Sequence, residues 1–314
     1  MEIRAYKDTD EKKIRGLFHL SFGRKLSHNE WLWKYKMSPW GSVAYVVVDD
    51  NNDIIAHYGA IRHAVNLEGS LLWAFQACDV MTHPSYRGKM TGKKPFIMQA
   101  CEMFLNDNIM EFIFGFPNER NARLHEIVLG FSKYRKVALF RKQLERSCGK
   151  KGKPYVLKIG WDTINPSDLD NLWKISNTKL SLSIVKDSRY LLWRYLENPS
   201  GYYTLITLKD IVQKKIIGSA VVKFSGHEMN VFDVFVRDDA FSSFLIMLEA
   251  YALKMQSETV NVRINPEEIY SEYLAGLNYR IIEDIPLFVK IINESKISQD
   301  NFFRKYSYRI GDCL

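Results

Sequence analysis

The chain repeats itself, and that repetition limits its folds more than any other feature. Residues 31 to 39 read WLWKYKMSP and residues 191 to 199 read LLWRYLENP, so Trp33, Tyr35 and Pro39 recur as Trp193, Tyr195 and Pro199. An apolar strand follows each time, AYVVV at 44 to 48 and YYTLITL at 202 to 208, and then a second, IIAHYGAI or IIGSAVVKF. CDVMT at 78 to 82 is answered by FDVFV at 232 to 236, FPN at 116 to 118 by INP at 264 to 266, and LGFSKY at 129 to 134 by AGLNYR at 275 to 280. The same order at offsets of roughly 146 to 162 residues implies a tandem duplication. A length of 314 residues suits two cores of roughly 150 residues each. The expected domains are 1–147 and 155–292, with a Gly, Lys and Pro linker at 148–154 and a tail at 293–314 that has no counterpart in the first half.

Within each half the pattern reads helix, strand, strand hairpin, helix, strand, helix, strand, a mixed α/β fold. Ile14, Leu17 and Phe18 stand at helical spacing, LEGS at 67 to 70 closes a hairpin, and PFIMQACEMFL at 95 to 105 repeats apolar residues at three and four. That second helix is expected to start near Gly92, with Pro95 in its first turn. The N-terminal eighteen residues alternate acids and bases without an apolar core. With no run of about 18 apolar residues, neither a signal peptide nor a spanning helix is expected, which points to the cytoplasm. Cys78, Cys101, Cys148 and Cys313 form no CxxC pair and no cluster at metal-ligand spacing, so reduced thiols and no metal are expected. An excess of 44 Lys and Arg over 36 Asp and Glu gives +8, a mild bias toward phosphorylated ligands.

The most suggestive segment is MTHPSYRGKMTGKK at 81 to 94, which has no acid and places Arg87, Lys89, Lys93 and Lys94 around Gly88 and Gly92. A strand that ends in a glycine-containing basic turn and opens a helix is suited to anions. Unpaired amides of the first helical turn and the positive end of the macrodipole meet the charge, and glycine lets the backbone come close. In the second half the same place reads RDDAFSSF at 237 to 244, where Asp238 and Asp239 would repel a pyrophosphate.

Together these residues resemble the GNAT superfamily of acyl-CoA-dependent N-acyltransferases. The likeness rests on P-x-Y-R-G-K-x-x-G after a strand, on Gly115, Phe116, Pro117 and Asn118 at the next strand end, and on the closing Leu129, Gly130 and Phe131. It covers most of residues 1 to 145 and implies two tandem GNAT-like domains, the second degenerate. The family's turn is R-x-x-G-x-G/A; this chain has Arg87, Gly88, Lys89, Met90, Thr91 and Gly92, so Met90 stands at its first glycine. The resemblance implies acetyl-CoA as acyl donor, with its pyrophosphate on residues 87 to 92, its pantetheine arm along Val80, Met81 and Thr82, and Asn118 beside it. A backbone amide there would stabilise the oxyanion as a primary amine attacks directly, without an acyl-enzyme. Many relatives place a Tyr four residues before the closing Gly-Phe; here that position is Glu126 with His125 beside it, the two candidates for proton transfer. Cys78, Asp79 and the Trp33/Tyr35 pair read as structural, because no base accompanies the thiol and the other three recur in the half without the basic turn.

The resemblance to the branch of the family with a G-F-P-N segment implies a small-molecule amine acceptor such as an amino sugar. A Fem-type peptidyltransferase drawing on aminoacyl-tRNA shares the tandem layout, but the R-G-K turn argues against nucleic acid. A non-catalytic acyl-CoA-binding protein would account for Met90 and the missing Tyr.

Overall fold

The computed structural model describes residues 1–91, 94–117, 122–145, 155–177, 181–265, 269–307, 309 and 312. The expected linker at 148–154, Gly92 and Asn118 lie outside them.

The first compact unit comprises Met1–Val65, Leu71–Tyr134 and Pro286–Gln299. It opens with β1 (Glu2–Ala5), α1 (Glu11–Phe22) and α2 (His28–Tyr35). Ile14, Leu17 and Phe18 form the buried stripe of α1, which ends at Gly23 in the left-handed conformation that glycine adopts without a Cβ penalty. A capping box starts α2: the Ser27 hydroxyl accepts from the Glu30 amide at 3.1 Å and the Glu30 carboxylate accepts from the Ser27 amide at 2.8 Å. Strands β2 (Ser42–Val48), β3 (Ile54–Leu67) and β4 (Ser70–Thr82) then form an antiparallel run, and β1 pairs with β2. The β3–β4 turn falls at Glu68 and Gly69, both at positive φ, where the sequence places it. Five consecutive residues of β2, Ala44 to Val48, are buried. That is why the sequence reads as a continuous apolar run rather than an alternation.

A two-residue hairpin, β5 (Met90–Thr91) against β6 (Lys94–Pro95), precedes α3 (Phe96–Asp107). The helix therefore starts four residues after Gly92, with Pro95 at its N-cap, because the chain pairs back on itself before it can turn helical. Phe96, Ile97, Ala100, Cys101 and Phe104 line its buried face against Ile55, Tyr58, Ala60, Phe75 and Val80. Next comes β7 (Phe112–Gly115), parallel to β4. Its other neighbour is the end of a distant strand, since Phe288 to Ile291 pair antiparallel with Gly115 to Phe112.

The second unit comprises Asn66–Ser70, Arg135–Ile285 and Asp300–Leu314. It holds most of β8 (Ser132–Gln143), which pairs with β14 (Thr259–Ile264), and the antiparallel series β9 (Tyr155–Ile159), β11 (Thr204–Asp210), β12 (Lys215–Ser225) and β13 (Glu228–Val236). The short β10 (Leu182–Ile184) precedes a helical segment whose last turn is Leu192–Leu196. Helix α4 (Pro166–Asn177) follows β9, and α5 (Phe241–Lys254) connects β13 to β14, which pair in parallel. Its core gathers Phe241, Phe244, Leu245 and Leu248 with Val222, Val231, Val260 and Val262.

The sequence places each closing strand in its own half, with boundaries at 147 and 155. The compact units divide the chain differently. The end of β15 (Arg280–Ile291) lies in the first unit against β7, while β8, the closing strand of the first half, serves the second. Residues 293–299 of the expected tail likewise belong to the first unit. Periodicity identifies a strand; which edge it joins depends on pairing that no local pattern encodes.

Candidate active site

The parallel ladder between β4 and β7 runs from Ala74–Phe112 to Gln76–Phe114, and β4 continues past it to Thr82. Asp79 interrupts this extension with φ at +49°, a conformation costly for any residue with a side chain. Three groups hold it there. Lys34 donates to its carboxylate oxygens at 3.0 and 3.1 Å, the Tyr35 hydroxyl donates at 2.8 Å, and His57 Nδ1 donates to its carbonyl at 2.8 Å.

The electrostatics of this cluster are those of a closed structural knot. Burial works against the Asp79 carboxylate, but Lys34 and then His57 hold its pKa below the usual value. Burial also works against the Lys34 ammonium, and Asp79 more than offsets it. Burial lowers the His57 pKa and pushes the Tyr35 phenol well up, aided by Asp79, so Tyr35 remains a donor. The Cys78 thiol is pushed by burial to about 12, which keeps it a protonated core group and not a nucleophile. The second unit repeats the theme, with Tyr195 donating to Asp233 and Lys186 pairing with the same carboxylate at 2.6 Å. Gly59 is needed beside the knot. A Cβ there would collide with the Tyr35 hydroxyl and come within 2.9 Å of the Cys78 carbonyl. Gly59→Ala is accordingly expected to cost about 1–3 kcal/mol, read as a lower urea midpoint; an unchanged midpoint would contradict this close approach.

Beyond the knot, β4 feeds the basic turn. His83 donates its amide to the Ile55 carbonyl at 2.8 Å, residues 84–86 form one tight helical turn, and the Lys89 amide donates to the Tyr86 carbonyl at 3.1 Å. Gly88 has φ at +76°, the left-handed geometry that the reversal after Arg87 requires. Arg87 Nε donates to the Thr82 carbonyl at 3.2 Å, tying the turn to the strand end. Tyr86 is fixed by its hydroxyl on Asp49 at 2.9 Å and by edge contact with Phe96, and the Lys89 ammonium lies 5.1 Å over its ring.

These elements enclose a cavity of about 500 Å³. Val80, Met81, Thr82, Arg87, Gly88 and Lys89 all line it, which brings together six of the ten residues that the sequence assigns to the donor. Pro95, Phe96 and Ile97 bring the first turn of α3 to the same space, so its unpaired amides and positive dipole end add to the basic charge. Met90 and Thr91 stand in β5, while Gly92 and Asn118 fall outside the described residues. The sequence reading missed Ser21 and Phe22 of α1 and Leu124 and Val128, which complete the wall. Their only local signal is apolar character near a helix end.

His125 and Glu126 do not line the cavity. They lie on a wide helical turn, Leu124–Val128, that presents Leu124 and Val128 to it. His125 is buried with its ring centroid 5.2 Å from that of Phe131 and 6.1 Å from that of Phe288, and Glu126 is exposed. Counting back from the closing Gly-Phe locates the turn but not its face, which the helical period decides. Among the described residues no group of His, Cys, Asp and Glu could hold a metal ion, and no helix is long and apolar enough to cross a membrane.

The end of β4, the basic turn and the N-terminus of α3 thus meet around one cavity, an arrangement suited to an anionic ligand. Residues 2–119 match the family model of the acetyltransferase (GNAT) domain. Solved structures share the fold at low identity. A probable N-acyltransferase from Enterococcus faecalis V583, itself of unknown function, aligns with TM-score 0.75 at 12% identity, covering 97% of this chain and 75% of its own. A GCN5-related N-acetyltransferase from Anabaena variabilis gives 0.72 at 11%, covering 94% and 74%. N-myristoyltransferase of Saccharomyces cerevisiae, solved with bound myristoyl-CoA, gives 0.58 at 9%, covering 92% and 82%. Comparison with curated proteins finds no match.

Proposed function

We propose that the chain transfers an acetyl or other short acyl group from acyl-CoA to a primary amine of a small molecule. The supporting observation is the convergence of Val80 to Thr82, Arg87 to Lys89 and the start of α3 on one cavity. In this reading the pyrophosphate of the donor lies against Arg87, the glycine turn and the first amides of α3. The pantetheine arm runs along the part of β4 beyond its ladder with β7, where a backbone amide polarises the thioester carbonyl. The amine nitrogen attacks that carbon, the C–S bond breaks, and the CoA thiolate takes up a proton. Neither His125 nor Glu126 faces the cavity, so the reading gives proton transfer to solvent at its mouth, and substitution of either is expected to leave turnover within a few-fold of wild type. The acceptor favoured for a first screen is an amino sugar.

The test is release of free thiol from acetyl-CoA with a panel of amines. Amine-dependent release with matching acylated product supports the reading. Binding of acetyl-CoA with no release for any amine would support a non-catalytic binding protein, and no binding would overturn the donor assignment.

A further inference from the structure

The second unit carries a larger cavity, about 720 Å³, away from the place that corresponds to the donor site. It lies beside α4 and against β9, β11 and β12, and Lys158, Lys174, Lys209, Lys214 and Lys215 line it with a single acid, Asp168. This is not one solvated charge run. The five lysines come from β9, from α4, from β11, from the β11–β12 turn and from the start of β12, and the fold gathers them. Register makes the first pair. Thr207 faces Lys158 and Lys209 faces Val156, so Lys158 and Lys209 are diagonal neighbours on one face of the ladder.

The local backbone is built to keep the others close. The β11–β12 register shifts between Leu208 and Lys209, and the Asp210 carboxylate accepts from the amides of Val212 and Gln213, both at 2.9 Å. Lys214 is then held at φ +55°, where Gly or Asn would be cheaper. None of the five lysines forms an ion pair among the described residues. The cavity beside α1 in the first unit is different: it mixes Asp8 and Glu11 with Lys12 and Arg15, and Arg15 is already paired with Glu11 at 3.0 Å. Five lysines facing a single acid around one concavity repel one another unless an anion joins them.

We propose that this pocket binds a small polyphosphate, with a nucleoside di- or triphosphate as the chemical class. The volume falls in the range of small-ligand sites, roughly 300–1,000 Å³. Leu172 and Ile216 add an apolar surface for a base, and Asn171 and Thr163 add polar contacts. The inference is independent of the acyl-CoA reading, because none of its residues lines the first cavity.

The experiment is calorimetric titration of the full chain with inorganic tripolyphosphate and with ATP. Wild type, Lys209→Gln/Lys214→Gln and Arg87→Glu/Lys89→Glu are compared, with melting curves to confirm that each variant folds. Loss of affinity by about tenfold or more at one site in the lysine variant, with that site still present in the Arg87 and Lys89 variant, supports the pocket. Equal affinity of the lysine variant and wild type overturns it, as does binding abolished only by the Arg87 and Lys89 changes. Lysine-dependent binding of mixed transfer RNA without binding of ATP overturns the small-ligand class.

Discussion

Lys186→Met is expected to destabilise the second unit by about 3–5 kcal/mol. The ammonium pairs at 2.6 Å with both Asp233 and Asp312, and all three side chains are almost fully buried. Methionine keeps most of the volume but leaves two carboxylates without a cation. Asp312 already strains the arrangement: burial pushes its carboxyl up, Lys186 pulls it down, and Asp233 raises it again, for a net rise. A raised folded-state pKa means that this group's contribution is full below the ordinary carboxylate range and is lost as pH rises through the raised value. The deficit of Lys186→Met should therefore grow as pH rises above the ordinary carboxylate range. Hydrogen exchange of the β13 and β14 amides reads the second unit by itself. A deficit under about 1 kcal/mol, or one independent of pH, would contradict this account of the cluster.

The second large effect is on the donor. Arg87→Glu/Lys89→Glu replaces two cations on the cavity wall by two anions, so attraction to a pyrophosphate becomes repulsion. Each reversal is expected to cost at least about tenfold, or roughly a hundredfold together in the Kd for acetyl-CoA. Both residues are exposed, and stability should stay within about 0.5 kcal/mol. The gap between variant and wild type should narrow at high salt, because exposed charges are screened. A Kd unchanged by the double reversal would remove the phosphates from this turn.

The parts of this molecule that were legible in the sequence are those set by short-range pattern. The Leu67–Ser70 hairpin, the amphipathic α1 and the R-G-K turn at the end of β4 each depend on neighbours within a few residues. So does the expectation that Val80 to Thr82 and Arg87 to Lys89 lie together, and they border one cavity because one strand and one turn carry them all. Lys34 escaped notice because a lysine between Trp33 and Tyr35 on a short helix looks exposed; its partner Asp79 is 45 residues away. The exchange of β8 and the end of β15 between units was hidden for the same reason. The lysine pocket was invisible too, since Lys158, Lys174 and Lys209 are ordinary surface lysines until the register of β9 on β11 brings two of them to one face. His125 and Glu126 mark a subtler limit: the segment was found and its rotation was not.

The most direct test of the central claim is hydrogen–deuterium exchange of the full chain with and without acetyl-CoA. The account predicts slowed exchange in residues 80–89 and in the first turn of α3, with residues 209–216 of the second unit unchanged. Binding that leaves 80–89 and the start of α3 unprotected, or that protects only the second unit, would place the donor elsewhere and contradict it.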